Sequence, residues 1–238
     1  MPRHPYFAES ADAMPPSTIL IPPSPMNLRA DCKVGGWFLC GANYGARLQF
    51  IALKFTRRIA GEGLGFIPPG TPLGELWFLP VGGGIGTDDN GREIKLPMNY
   101  VYCTLLKNSR KANTKRDTGI GSLANFGQKA MLLAAEGFDY REVVWCPIFR
   151  KKEGNANGAP LSYYVLDWAY ALPDDQDEHT FGKVGECIKM IESESTVSRM
   201  YDPEIEANSI AIDGMSREEM QLLLTSLQQS KPAIAPAN

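Results

Sequence analysis

Short apolar runs bounded by glycine and proline set the pattern of the first 172 residues of the chain. Runs of this length that are rich in β-branched and aromatic residues are typical of strands. A brief run at 37–40 is followed by five longer ones, and we predict long strands over 47–56, 75–81, 98–107, 142–150 and 162–172. The Asn90-Gly91 pair is a strong turn signal between the second and third of these strands.

Between the third and fourth long strands the spacing of apolar residues becomes helical. Residues 122–136 place their apolar side chains on one face, Ser122 is suited to the N-cap, and Gly137 is suited to a left-handed C-terminal position. We predict one helix here, and a polar, glycine-rich hairpin loop over 151–160 between the last two strands.

The order of three strands, one helix and two strands predicts a mainly β fold. It is the order of an OB-like five-stranded barrel with one helix between strands 3 and 4, to which C-terminal helices are added. Another small barrel, or a two-sheet sandwich with a linking helix, would produce a similar string of elements.

Composition divides the chain around this predicted barrel. The last helix begins with a capping box formed by Ser216 and Glu219, which precedes an apolar stripe. We predict a flexible, proline-rich arm over 1–35, the barrel over 36–172, an acidic helical region over 173–230 and a disordered tail over 231–238.

The net charge of −3 conceals an asymmetry between the two parts of the chain. Residues 1–152 carry 19 basic and 12 acidic side chains (+7), whereas residues 153–238 carry 5 and 15 (−10). No apolar run is long enough for a membrane span or a signal peptide, so we expect a cytoplasmic protein with no membrane partner. The asymmetry suggests an interaction surface, although charge can also simply drift along a chain.

Two predicted strands each combine an aliphatic face with an aromatic face. On the first, Val101 and Cys103 alternate with tyrosines; on the second, Val144 and Cys146 alternate with aromatic rings. Exposed rings stack on nucleic-acid bases, so we predict base-stacking roles for Tyr100, Tyr102, Trp145 and Phe149. The alternative is that the terminal arms or the C-terminal helices cover this face.

Basic residues cluster next to the same strands. We predict that phosphates are bound by Lys107, Arg110, Lys111, Lys115, Arg116, Arg150, Lys151 and Lys152, together with Arg57 and Arg58. Cationic loops beside aromatic rings are what a groove for single-stranded nucleic acid requires. Ordinary solvated loops are the alternative.

No motif in the chain indicates catalysis, a metal or a cofactor. The two histidines belong to no visible constellation, and the five cysteines lack the close pairs typical of zinc sites, so we expect free thiols in a reducing compartment. The glycine runs at 61–65 and 82–86 lack the features of phosphate-binding loops, and we expect flexible loops there. We predict that the protein is not an enzyme.

Several short stretches resemble known sequences: Gly36-Trp37-Phe38, Leu96-Pro97, Ser122-Leu123 and Tyr163-Tyr164-Val165-Leu166. Through them, residues 37–172 resemble uncharacterised proteins of cyanobacteria, their phages and plasmids, and more loosely the phage-type single-stranded-DNA-binding proteins. The resemblance implies an accessory role in DNA replication or recombination. Proteins of that type often end in a short acidic, hydrophobic tip, whereas this chain ends in Ala-Ile-Ala-Pro-Ala-Asn.

The sequence therefore favours a non-catalytic protein that binds single-stranded DNA and that could form a homo-oligomer. Its acidic C-terminal region would bind partner proteins or compete with DNA. The alternative is a protein–protein interaction module, such as an adaptor or a phage structural component, whose interface lies on the N-terminal arm and the helix after Ser216.

Overall fold

A computed structural model of the chain describes residues 25–62, 67–88, 90–107, 122–156, 159–172, 178–193 and 207–229. Strand and helix shares of 48% and 23% confirm the mainly β class. The strands are β1 (Met26–Asn27), β2 (Arg29–Asp31), β3 (Gly36–Leu39), β4 (Ala42–Asn43), β5 (Leu48–Ala60), β6 (Pro72–Gly83), β7 (Ile85–Thr87), β8 (Glu93–Lys95), β9 (Tyr102–Lys107), β10 (Val144–Ala156), β11 (Ala159–Ala171) and β12 (Ser209–Ala211). The helices are α1 (Ser122–Ala135), α2 (Glu178–Ser193) and α3 (Arg217–Gln229).

Seven strands form a large sheet in the order β1-β9-β6-β5-β10-β11, with β12 paired to β5. Among the strand pairs described in this sheet, β1–β9 is parallel and the others are antiparallel. One edge of β5 pairs with β6; its other edge pairs with β10 at Phe50–Ile51 and with β12 at Arg58–Ala60. The long strand β5 therefore joins the C-terminal part of the chain to the centre of the sheet.

The remaining five strands form a smaller antiparallel sheet in the order β2-β3-β4-β7-β8. The chain passes from the large sheet to this one through the glycine run at 82–86. Gly83 and Gly84 have φ angles of 73° and 64°, and a Cβ on Gly86 would lie 1.8 Å from the carbonyl oxygen of Asn43. Our expectation of a flexible loop here was wrong, because the glycines allow a sharp strand-to-strand corner with close backbone approach.

One face of the large sheet packs against α1 and the small sheet, and we call this region the inner core. The Phe126 ring of α1 lies 5.0 Å from the ring of Trp145 and 4.8 Å from that of Trp168. Trp37 of the small sheet meets Phe50 at 6.3 Å. The largest fully buried side chains here are Trp37, Phe50, Phe78, Tyr102, Phe126, Trp145 and Trp168.

The opposite face of the large sheet carries a second apolar group, the outer cluster, which α2 covers. The helix contributes Val184, Cys187, Ile188 and Ile191. The sheet contributes Ile51, Leu53, Trp77, Leu79, Val101, Cys103 and Val144. Both faces of the sheet are thus buried.

The predicted helix and its C-terminal glycine agree with the structure, whereas the Ser122 hydroxyl, predicted to cap the helix, accepts from the Leu166 N–H instead. α1 begins at Ser122, and Gly137 has a φ of 93°, while the Phe138 N–H donates to the Leu133 carbonyl at 2.9 Å. The capping box before α3 is also confirmed: the Ser216 N–H donates to Glu219 at 2.7 Å, and the Glu219 N–H donates to the Ser216 hydroxyl at 3.2 Å.

Three predicted features differ from the structure. The described residues form no closed five-stranded barrel but two sheets of seven and five strands. The arm predicted over 1–35 contains β1 and β2, because their backbones pair with β9 and β3, while residues 1–24 lie outside the described part. The loop predicted over 151–160 is mostly strand, since β10 and β11 pair in register from Val144 to Ala156. The glycine run at 61–65 lies partly outside the described residues, and the tail from residue 231 lies wholly outside them.

We predict that Trp145→Ala lowers the stability of the fold rather than removing a contact to a ligand. Trp145 is fully buried and its indole N–H donates to the Tyr140 carbonyl at 2.8 Å, so truncation leaves a large cavity. The free energy of unfolding should fall by about 3–5 kcal/mol, as measured by urea denaturation. Met131→Ala, at a position that is 75% exposed on α1, should change it by less than about 0.5 kcal/mol. Equal stability of the two variants would contradict the packing described.

Candidate functional site

The structure buries two of the four aromatic residues predicted to stack on bases. Tyr102 and Trp145 are fully buried in the inner core, and burial raises the pKa of Tyr102 to about 12. Tyr100 and Phe149 are partly buried against the same core, with the Phe149 ring 5.7 Å from that of Trp37. The predicted aromatic face is therefore the packed face of the sheet, and α1 and the small sheet cover it.

Three of the predicted phosphate-binding arginines already contact protein groups. Arg57 is paired with Asp213, Arg58 donates to the Ser209 hydroxyl at 2.6 Å, and Arg150 is paired with Asp167. The Arg57 and Arg58 contacts are long-range and join the C-terminal segment to the end of β5. These side chains are thus not a ready-made cationic surface.

The remaining predicted basic residues fall into three groups. Lys151 lies 3.7 Å from Glu153, and it and Lys152 lie on β10 rather than in a loop. Lys107 is exposed at the end of β9. The others, Arg110, Lys111, Lys115 and Arg116, lie outside the described residues.

A cleft lies beside Lys107, between the end of β9 and the strand β11. Its volume is about 410 Å³, within the range of ligand pockets. The lining residues are Asn27, Arg29, Ala30, Asp31, Cys32, Lys33, Leu105, Leu106, Lys107, Ser122 and Leu166. Leucines from β9 and β11 give it an apolar part, and charged residues from β2 and its following turn give it a polar part.

The cleft carries more positive than negative charge. Its charged lining residues are three cations, Arg29, Lys33 and Lys107, and one carboxylate, Asp31. Asp31 accepts from the Arg29 guanidinium at 3.0 Å and from the backbone N–H groups of Lys33 and Val34 at 2.8 and 3.2 Å. The ammonium groups of Lys33 and Lys107 form no ion pair with any described residue, so two cations remain for an anionic ligand.

Cys32 and Ser122 connect the cleft to the body of the fold. The Cys32 carbonyl accepts from the Tyr164 N–H at 2.7 Å, and the Ser122 hydroxyl accepts from the Leu166 N–H at 3.2 Å. Burial raises the pKa of the Cys32 thiol; its hydrogen bond with Ser122 opposes this effect. The cleft wall is therefore held by contacts to β11 and to the first residue of α1.

Two half-buried aromatic rings lie close to the cleft. The Arg29 guanidinium lies over the Phe38 ring at 5.6 Å, and the Tyr164 ring packs on Gly35, where a Cβ would approach it to 2.9 Å. The sequence prediction did not assign Arg29, Lys33 or Phe38. The sequence feature that could have indicated Arg29 and Lys33 was the alternation of charge along Arg29, Asp31 and Lys33, which lay within the predicted arm.

The described residues contain no group of three or more His, Cys, Asp or Glu side chains suited to a metal ion. Among the helices of this part of the chain, none is long and apolar enough to cross a membrane. The five cysteines are free thiols.

No protein-family model, curated protein or solved structure matches the chain. The resemblance to phage-type single-stranded-DNA-binding proteins therefore stays a prediction, and the cleft has to be interpreted from its own chemistry.

We predict that the Cys32 thiol reports on the cleft. Because its pKa is raised above the ordinary value of 9.0 by burial, and because the thiolate is the reactive form, its alkylation by iodoacetamide should be slow at pH 7.5 and still accelerate above pH 9. Peptide mass spectrometry after timed labelling measures this rate, and the exposed Cys40 in the same digest is the reference for solvent access. Rapid alkylation of Cys32 at neutral pH would contradict the burial of its thiol.

Proposed function

We propose that this protein binds single-stranded nucleic acid, DNA in the first instance, through the cleft between β9 and β11. The observation that carries the proposal is a cationic rim beside an apolar floor. Lys33 and Lys107 are placed to contact phosphates, and the partly buried Leu105 offers an apolar surface to a base, next to the buried lining residues Leu106 and Leu166.

The strand order supports this proposal. The long strands of the large sheet, in chain order, are β5, β6, β9, β10 and β11. Strands β5, β6 and β9 form a meander, β10 pairs with β5, and β10 and β11 form a hairpin, while α1 follows β9. The order of three strands, one helix and two strands is the order that predicts an OB-type barrel, a fold that binds oligonucleotides, and it supports the proposal. Residues 25–33 are hydrogen-bonded to both β9 and β11, since the Leu28 N–H donates to the Cys103 carbonyl and the Tyr164 N–H donates to the Cys32 carbonyl, and the cleft lies along this segment.

Under this proposal, the residues that contact the nucleic acid differ from those predicted from the sequence. Stacking by Tyr102 and Trp145, which are buried, is replaced by contacts at the cleft, where the half-buried rings of Phe38 and Tyr164 pack against Arg29 and Gly35. Rings of this kind stack on bases without regard to sequence, so binding should depend little on base composition.

A non-catalytic accessory role in DNA replication or recombination is the setting that fits such a site. We place the protein in the cytoplasm, since its five free thiols are typical of a reducing compartment. The acidic C-terminal part would supply contacts to protein partners or to a further copy of the chain.

We predict that the double variant Lys33→Ala, Lys107→Ala binds a labelled single-stranded 30-mer about tenfold more weakly than the wild type at low salt. Removing two phosphate contacts should also make the dependence of log K on log salt shallower by about 1.4, which is about 0.7 for each contact. Fluorescence anisotropy across a salt series, with the matching duplex in parallel, measures both quantities.

Lys95→Ala is the matched control, because Lys95 is an exposed lysine of the small sheet, paired with Glu93 and outside the cleft. It should leave both affinity and slope unchanged. If the wild-type protein fails to bind the single strand even at low salt, the proposal is wrong. Equal losses in the control would mean that binding depends on overall charge rather than on the cleft.

A second candidate function, a protein–protein module, is favoured by α3. None of its described side chains is buried: Leu222 is 71% exposed, and the stripe formed by Met220, Leu223, Leu224 and Leu227 is only partly covered. Exposed apolar residues on a well-capped helix are typical of an interaction surface.

If α3 mediates self-association, Leu223→Glu should shift the protein to a lower mass in light scattering at micromolar concentration, because it places a charge in the apolar stripe. Gln221→Glu adds the same charge at an exposed polar position and should not change the mass. A monomeric wild-type protein would remove the support for self-association through α3.

A further inference from the structure

The end of β5 contains an anion-binding arrangement outside the cleft. The backbone N–H and the guanidinium Nε of Arg57 both donate to the Asp213 carboxylate, each at 2.9 Å. Two donors of one residue thus hold both oxygens of a single carboxylate. A phosphate group presents a similar pair of acceptor oxygens and a negative charge, so the same donors suit it.

This arrangement lies on the same end of the sheet as the cleft. Arg58 is paired with Leu73, and Leu73 is paired in turn with Lys107 of the cleft. Two strand spacings therefore separate Arg58 from Lys107, about 10 Å between their Cα atoms. Arg57, the adjacent residue on β5, points to the opposite face of the sheet from Arg58. It is level with Gly74 and with Leu106 of the cleft, so its anion site and the cleft lie in one band across three neighbouring strands.

We propose that Arg57 is a phosphate-binding site of the nucleic-acid interface, and that Asp213 is its internal competitor. In the structure the carboxylate occupies the site; on binding, a phosphodiester group of the strand replaces it. The inference rests on the proposed function, and it adds both a contact residue and a means by which the acidic C-terminal segment regulates affinity.

The contacts around Asp213 allow the carboxylate to leave while the segment stays in place. β12 remains paired with β5, Ser209 and Ile212 are buried, and the Ile212 N–H donates to the Arg57 carbonyl at 3.0 Å. In contrast, the Arg57 and Asp213 side chains are 53% and 44% exposed, and ion pairs at such exposure are weak and screened by salt. Exchange of one anion for another thus requires movement of a side chain only.

The test is the affinity of Asp213→Asn for the single-stranded 30-mer. Removing the competing charge should strengthen binding about threefold at low salt and make the salt dependence steeper by about 0.7, because one more phosphate is bound. In the Asp213→Asn background, Arg57→Ala should cancel both effects. In the wild-type background, where Asp213 occupies the site, Arg57→Ala should change the affinity less than twofold.

Glu93→Gln is the matched control, because it removes one carboxylate from an exposed ion pair, with Lys95, on the small sheet. It should change neither affinity nor slope, whereas an equal gain would assign the effect to net charge and overturn the inference. Unchanged binding by Asp213→Asn overturns the inference but leaves the proposed function standing if the wild type binds. If neither protein binds the strand, both the proposed function and the inference are wrong.

Discussion

The large sheet is apolar on both faces, and the rest of the structure depends on covering both of them. Uncovered, its tryptophans and aliphatic residues would expose far more apolar surface than a monomer tolerates. Phe126 of α1 and Trp37 of the small sheet cover one face, while Val184 and Ile188 of α2 cover the other. Little of either face is left for a ligand, so the binding surface we propose lies where strands end and the chain changes direction.

This constraint explains which parts of the fold the sequence predicts. Local signals were sufficient for α1, whose apolar spacing and terminal Gly137 agree with the structure, and for the central parts of the long strands. Alternation along β9 also separated Tyr102 from Cys103 correctly onto opposite faces. It could not tell that both faces are covered, because the covering residues of α2 lie more than 70 positions away and carry no local mark of where they pack.

The cleft was harder to predict for a related reason. The cleft combines three distant segments, which contribute Arg29 and Lys33, Lys107, and Leu166 respectively. These segments meet only when β1 pairs with β9 and the Tyr164 N–H donates to the Cys32 carbonyl. Proline content assigned the first of these segments to a flexible arm. Composition describes the average behaviour of a stretch, whereas two or three backbone hydrogen bonds are enough to place its last residues in a sheet.

Contacts between distant segments also explain the charge asymmetry between the two parts of the sequence. The acidic C-terminal part does not stand apart from the basic body: Asp213 pairs with Arg57, and Glu192 of α2 lies 3.0 Å from Arg141. These ion pairs neutralise arginines that a count of charges along the sequence would treat as available to an anionic ligand. Lys33 and Lys107 are among the described cations without such an ion pair, and folding brings these two lysines together at the cleft from distant parts of the chain.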